Sequence, residues 1–313
     1  MRLADPLPGA RGVPLEPTRR LRPAWRSYAE LCKPRVIALL LFTAVVGMLL
    51  AGPPAWPVLV FGTLGIGSVA ASAAALNHLF DRRLDALMAR TRGRPLPQGE
   101  LRVPQVAAFA LVLGAAGTVL LLVFTNVLCT LLTLASLVGY AVVYSLYLKP
   151  RTPQNIVIGG AAGAAPPLLG WAAVTGRVDV DAWLLFAIVL LWTPPHFWAL
   201  AIHRRDDYAR AGVPMLPVTH GVAFTTRRIL AYTLLLVAAS LGPVATGLAG
   251  GWYLVGALCL GARFVQLAWR LRSDVRQAMP TFRFSIVYLA ALFALLLVNQ
   301  AVATVRAWAR AVR

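Results

Sequence analysis

Three oxygen-bearing side chains recur at a helical interval in the segment Asn77-His-Leu-Phe-Asp81-Arg-Arg-Leu-Asp85. Positions i, i+4 and i+8 share one face of a helix, so a carboxamide and two carboxylates form a single polar stripe. An all-oxygen set of this kind suits Mg²⁺, which keeps part of its shell for waters and substrate phosphates. A second acidic pair, in Asp206-Asp207-Tyr208, is flanked by Arg204, Arg205 and Arg210. With only 11 Asp and Glu in 313 residues, two such clusters are informative. If their helices are neighbours, the clusters can share one or two Mg²⁺ ions around a diphosphate. Arginines in the same loops would then hold the outer oxygens through bidentate contacts. The spacing also allows a solvated helix end, with Asp81 and Asp85 paired to Arg82, Arg83 or Arg90. The adjacent Asp206 and Asp207 do not share a helix face.

Other polar groups lie within apolar sequence. His196, in Trp192-Thr-Pro-Pro-His-Phe-Trp198, sits about two helical turns before Asp206. An imidazole at such depth normally faces a cavity or a partner. It is a candidate to contact an acceptor substrate, relay a proton or bind a haem iron, and a hydrogen bond to a neighbouring helix would also explain it. His78 and His203 flank the acids, where phosphate contact and interfacial orientation serve equally well. Tyr140, Tyr144 and Tyr147 line one side of their helix, as a cavity wall or an interfacial belt. The small-residue run Asn155-Ile-Val-Ile-Gly-Gly-Ala-Ala-Gly-Ala-Ala-Pro-Pro167 suits close helix packing or the side of a bulky ligand, and its prolines predict a bend.

The elements that must carry these groups follow from composition. The chain is 59% hydrophobic and 13% charged, against about 25% charged in soluble domains. Val36–Phe80 and Val103–Leu148 contain no Asp, Glu, Lys or Arg. One crossing takes about 20 apolar residues, so each stretch predicts two transmembrane helices. Thr152–Gly176, Asp181–Ile202 and Phe284–Val305 predict one each. Ile229–Ala262 is short for two spans, but Gly247, Gly250 and Gly251 provide a turn. The expected architecture is an all-α polytopic bundle of about nine transmembrane helices, with eight as the alternative. Three cysteines, Cys32, Cys129 and Cys259, have no ligand spacing.

Net charge is +19, yet the arginines occupy alternate loops, after the second, fourth, sixth and eighth spans. The intervening loops are almost bare. This is the positive-inside pattern, placing the N-terminus and the basic loops in the cytoplasm and arguing against a nucleic-acid partner. Arg306, Arg310 and Arg313 fall on the far side as an exception. Met1–Arg35 has no apolar run ahead of a cleavage site, unlike a secretory signal.

The motifs together resemble the UbiA superfamily of membrane-embedded aromatic prenyltransferases, and within it the haem-farnesylating branch. Asn77-x₃-Asp81-x₃-Asp85 and the continuation Met88-Ala-Arg90-Thr-Arg-Gly-Arg94-Pro-Leu96 resemble the NxxxDxxxD and MxRTxxRPL signatures. Asn155–Pro167, Gly170–Gly176, Trp192–Leu200 and Asp206–Pro217 resemble that branch in order, and the likeness runs from about Lys33 to Leu297. One departure from the wider superfamily is the second motif, where His203-Arg-Arg-Asp-Asp-Tyr208 stands in place of DxxxD.

The resemblance implies a UbiA-type fold and transfer of a farnesyl group from farnesyl diphosphate to the 2-vinyl of haem b, with hydration, for haem-copper oxidase cofactors. It implies Mg²⁺ on Asn77, Asp81, Asp85 and Asp206 or Asp207. Arg90, Arg94 and Lys149 are the expected contacts to the diphosphate, Tyr208 is a further expected substrate contact, and His196 is the expected contact to haem. A quinone-precursor or chlorophyllide prenyltransferase is the alternative, and a secondary transporter a distant one, since its ionisable groups belong near the bilayer midplane. The expected location is the bacterial cytoplasmic membrane, in contact with the lipid bilayer. A partnership with haem A synthase stays open. The expected segments are a polar N-terminal segment (1–32), a transmembrane prenyltransferase domain (33–305) and a basic tail (306–313).

Overall fold

The computed structural model describes residues 23–311. Among them are nine helices long and apolar enough to cross a membrane, as expected. A short α1 (Ala24–Leu31) precedes the first of these. The spans are α2 (Pro34–Ala51), α3 (Val58–Leu87), α4 (Val103–Phe124), α5 (Val127–Arg151), α6 (Asn155–Thr175) and α7 (Val180–His203). After the small helix α8 (Arg205–Arg210) come α9 (Gly221–Ala245), α10 (Gly251–Arg270) and α11 (Ala278–Ala311).

The seventh and eighth spans overrun their uncharged stretch at both ends. Arg227 and Arg228 lie in the first turns of α9, and Arg263 and Arg270 in α10. Long arginine stems reach outward from such positions and keep their charge at the interface. The chain reverses between the two helices at Gly247, whose φ of 81° is open to glycine without strain.

Six spans close a ring in the order α2, α3, α5, α6, α7 and α11, with α11 returning to α2. Outside it, α4 packs on α3, α9 on α7, and α10 on α9 and α11. The outer face of α4 exposes Leu111, Val112, Val119 and Val123, as befits a surface against lipid. Spans α3 and α7, which carry the two acidic clusters, are not packed neighbours. They stand apart in the ring with α5 and α6 between them, which corrects the condition attached to a shared site.

The small-residue run resolves into helix packing. Gly159 lies against the Tyr144 ring of α5 and Gly160 against Thr193 of α7. Farther along, a Cβ at Gly170 would collide with the Ala44 carbonyl, and one at Gly47 with the Pro167 carbonyl. Here α2 and α6 touch backbone to backbone, a closeness only small residues permit. The bend expected from Pro166-Pro167 appears as a break of α6 into Asn155–Ala164 and Pro166–Thr175.

The packed body begins earlier than the expected boundary at residue 33. Leu31 and Ser27 are buried, Tyr28 meets the Phe109 ring, and Ser27 Oγ donates to Glu100. An apolar stripe on α1 therefore docks beside α3 and α4. The remainder of the N-terminal segment lies outside the described residues. The expected basic tail from 306 continues α11 as helix to Ala311, and residues 312–313 also lie outside the described residues.

Candidate active site

Asn77, Asp81 and Asp85 project from the last turns of α3 and are each buried, at 2–3% exposure. The i, i+4, i+8 stripe is therefore real, and it faces other helices rather than solvent. Asn77 Nδ2 donates to Asp81 Oδ2 at 2.8 Å and to Ser145 Oγ at 2.9 Å. Lys149 Nζ pairs with Asp81 Oδ2 at 2.5 Å, and Arg94 Nη1 with Asp85 Oδ2 at 2.7 Å. Thr91 braces the loop by donating to the Asp85 carbonyl at 3.0 Å.

The opposing wall comes from α5, which is wound as a π-helix over Gly139–Leu148. Bonds to i+5 replace those to i+4, and such segments concentrate at functional sites. The wider winding aligns residues five apart, so Tyr140 stands over Ser145, and Tyr144 over Lys149. Ser145 Oγ fills the looser turn by donating to the Tyr140 carbonyl at 3.0 Å, and the Tyr140 and Tyr144 rings stack 5.6 Å apart. Tyr147, expected on the same side by α-helical spacing, instead points outward, is 55% exposed, and lies beneath Arg151.

One participant was not anticipated. Lys33 Nζ donates to Asn77 Oδ1 at 2.5 Å and to Tyr140 Oη at 3.2 Å. Burial first, then Arg94, pushes its pKa down to about 7. Among the described residues it is the one non-glycine with positive φ, at 49°. Left-handed backbone costs a side-chain-bearing residue energy and recurs where function demands it. A signal was present in the composition: of the 30 basic residues only Lys33 and Lys149 are lysines, and both reach this stripe.

Of the second cluster, Asp207 is buried and Asp206 exposed. Asp207 pairs with Arg210 at 2.5 Å and more loosely with Arg204 at 3.9 Å. Tyr208 beside it is buried, which raises its phenol pKa, and the positive charge of Arg90 lies close to it. Through Arg90, Tyr208 and Tyr144 the α8 segment joins the polar end of the bundle.

Among the described residues no group of three or more His, Cys, Asp or Glu is gathered as a metal centre. The acids instead meet ammonium and guanidinium groups. The donor set is nonetheless compatible with a hard cation. Asp81 and Asp85 each engage through Oδ2, and among the described residues their Oδ1 atoms, one turn apart, have no hydrogen-bond partner. One or two carboxylates plus substrate phosphates are the usual complement of Mg²⁺. The Asn77 oxygen, an expected ligand, is held by Lys33.

Deeper in α7, His196 is 8% exposed. Trp192 stacks on its ring at 4.2 Å, Phe282 lies 4.6 Å away, and Nδ1 is 2.7 Å from Ser285 Oγ of α11. His78 is buried, with no hydrogen-bond partner for either ring nitrogen among the described residues, and His203 is exposed.

Residues 40–297 match the UbiA prenyltransferase family. The chain is 59% identical to a protoheme IX farnesyltransferase of Thiobacillus denitrificans, covering 88% of this chain and 94% of that one. It is 57% identical to the protein of the same name from Marinobacter nauticus, covering 93% and 98%. Among solved structures, a digeranylgeranylglyceryl phosphate synthase superposes with a TM-score of 0.75 at 19% identity, over 88% of this chain and 98% of that one. A UbiA homologue from Archaeoglobus fulgidus bound to GPP and Mg²⁺ superposes with a TM-score of 0.58 at 17% identity, over 86% and 99%. At such identities these two likenesses speak for the fold, while the family match and the two farnesyltransferases speak for descent. This polytopic membrane protein belongs to the UbiA prenyltransferase family.

Proposed function

We propose that the chain farnesylates haem b at a vinyl group, using farnesyl diphosphate, with water completing the side chain. The observation that carries the diphosphate half is the charge around the α3 stripe: Lys33, Arg90, Arg94 and Lys149 surround the carboxylates of Asp81 and Asp85. Arg90, Arg94 and Lys149, with Lys33 protonated in part at neutral pH, outnumber the two acids and leave excess positive charge at one end of the bundle, suited to a polyanionic head group. The haem half rests on kinship with the farnesyltransferases.

Asn77, Asp81 and Asp85 would hold Mg²⁺, with Asp207 rather than the exposed Asp206 contributing from α8. When bound, the ion neutralises charge that develops on a departing diphosphate. Arg94 and Lys149, held beside the stripe by Asp85 and Asp81, would hold the diphosphate oxygens, and Lys33 and Arg90 would complete the clamp. Donors fixed in place before reaction stabilise the leaving group without reorganisation. Tyr140 and Tyr144 wall off the site and keep water from the allylic cation until the vinyl carbon captures it. His196, deeper along α7, contacts the haem.

The basic loops and the site lie at the same end, which supports a cytoplasmic site in the bacterial inner membrane. The test is to supply the purified protein with haem b, farnesyl diphosphate and Mg²⁺ and weigh the pigment by mass spectrometry. Farnesylated haem from the parent and almost none from Asp81→Asn is the expected result. Prenylation of a quinone precursor, with haem left unmodified, would overturn the acceptor.

A further inference from the structure

Ser285 of α11 ends a short chain of hydrogen bonds that decides which nitrogen of His196 is free. Ser285 Oγ donates to the Phe282 carbonyl at 2.6 Å and lies 2.7 Å from His196 Nδ1. A serine hydroxyl has one hydrogen, and a carbonyl has none to offer. Both short contacts are satisfied together only if Ser285 gives its hydrogen to Phe282 and Nδ1 carries the proton that it donates to Ser285 Oγ. The neutral imidazole then has its lone pair on Nε2. That atom has no hydrogen-bond partner among the described residues.

The ring is also held in orientation. Trp192 stacks on it at 21°, Phe197 meets it edge-on at 88°, and Phe282 lies at 31°. Trp192 Nε1 in turn donates to the Ser285 carbonyl at 2.6 Å, tying the stacking residue and the hydrogen-bonding residue into one unit across α7 and α11. An imidazole whose Nδ1–H is engaged by a fixed acceptor, with a bare Nε2, is the arrangement found in metal-ligating histidines, and an imidazole nitrogen is an ordinary axial donor to haem iron.

We propose that His196 Nε2 coordinates the iron of the haem acceptor, and that Ser285 is the positioning residue that holds His196 in the Nδ1–H tautomer for that bond. This rests on haem being the acceptor. One iron–nitrogen bond fixes the centre of the macrocycle against α7 but leaves it free to rotate about the bond. His196 therefore governs haem affinity, and other contacts choose the vinyl group.

The full chain in detergent is titrated with ferric haem b and followed by optical and electron paramagnetic resonance spectra. The expected parent spectrum is that of histidine-ligated haem. His196→Gln loses that signature and raises the Kd for haem roughly 10- to 100-fold, while imidazole added to His196→Gly restores the signature. Ser285→Ala weakens haem binding roughly 10-fold, as loss of an orienting partner does, raising KM for haem more than it lowers kcat, and Ser285→Thr restores it. Should His196→Gln fail to elute as a single species, the Ser285 pair carries the test. His196→Gln with the parent's spectrum and Kd overturns the ligation, and a Ser285→Ala indistinguishable from the parent overturns the positioning role. A parent that converts another aromatic acceptor but neither binds nor modifies haem b would instead overturn the acceptor assignment.

Discussion

At the scale of single residues, the acids were the easier part to find. Asn77, Asp81 and Asp85 lie within one helix, so their spacing alone places them together. Lys33 was missed because its partner is 44 residues away, and no periodicity within a helix reports on a contact between helices. A hydrogen bond to a charged group contributes about 1.5–3 kcal/mol. Lys33→Gln is therefore expected to lower kcat/KM for farnesyl diphosphate roughly 10- to 100-fold, measured by steady-state turnover of the purified protein. An unchanged value would remove Lys33 from the clamp. The adjacent acids of α8 separate by exposure: Asp206→Asn should leave turnover within about twofold, and Asp207→Asn should lower it at least tenfold, because only the latter strips a buried carboxylate from Arg210. Equal effects would dissolve that distinction.

At the scale of elements, the π-winding of α5 is what brings Tyr140, Ser145 and Lys149 to the same wall. Spacing read at 3.6 residues per turn grouped Tyr147 with Tyr140 and Tyr144, and the wider turn is why that grouping fails at Tyr147. Deleting the half-exposed Val143 would remove the extra residue and rotate Lys149 by about 100° relative to Tyr140. The deletion variant is expected to elute as a folded species by size exclusion while losing most of its farnesyl-transfer activity; full activity would mean the winding is incidental. The α2–α6 contact makes a complementary case about stability. Gly170→Val drives a side chain into the Ala44 carbonyl and should lower Tm by several degrees or more, overpacking costing about 1–3 kcal/mol. Gly163→Ala meets nothing within 4 Å and should leave Tm unchanged. In a thermal-shift assay, equal melting of the two variants would contradict the close approach.

At the scale of the whole molecule, Lys33, the α3 stripe, Lys149 and α8 gather at the end of the bundle that also carries Arg90, Arg92, Arg94, Arg151 and Arg204. The proposed orientation puts that end in the cytoplasm. In a background lacking the three native cysteines, a single cysteine placed at Arg92 should resist a membrane-impermeant thiol reagent applied to intact spheroplasts, and one at Gly176 should react. The reverse pattern would invert the topology.

The span count, the bundle class and the acidic stripe were determined by the sequence itself, because each follows from local quantities: the run length of uncharged residues, the loops in which arginines fall, and a spacing within one helix. Even the division of 229–262 into two spans was foreshadowed by its glycines. Tertiary structure alone decided which distant side chains meet. It set α3 and α7 apart in the ring rather than side by side, brought Lys33 across to Asn77, turned Asp207 inward and Asp206 outward, and placed Ser285 against His196. Those outcomes depend on how helices cross and rotate, which backbone contacts such as Gly47 with Pro167 and the π-wound stretch of α5 settle, and neither leaves a period in the sequence from which it can be read.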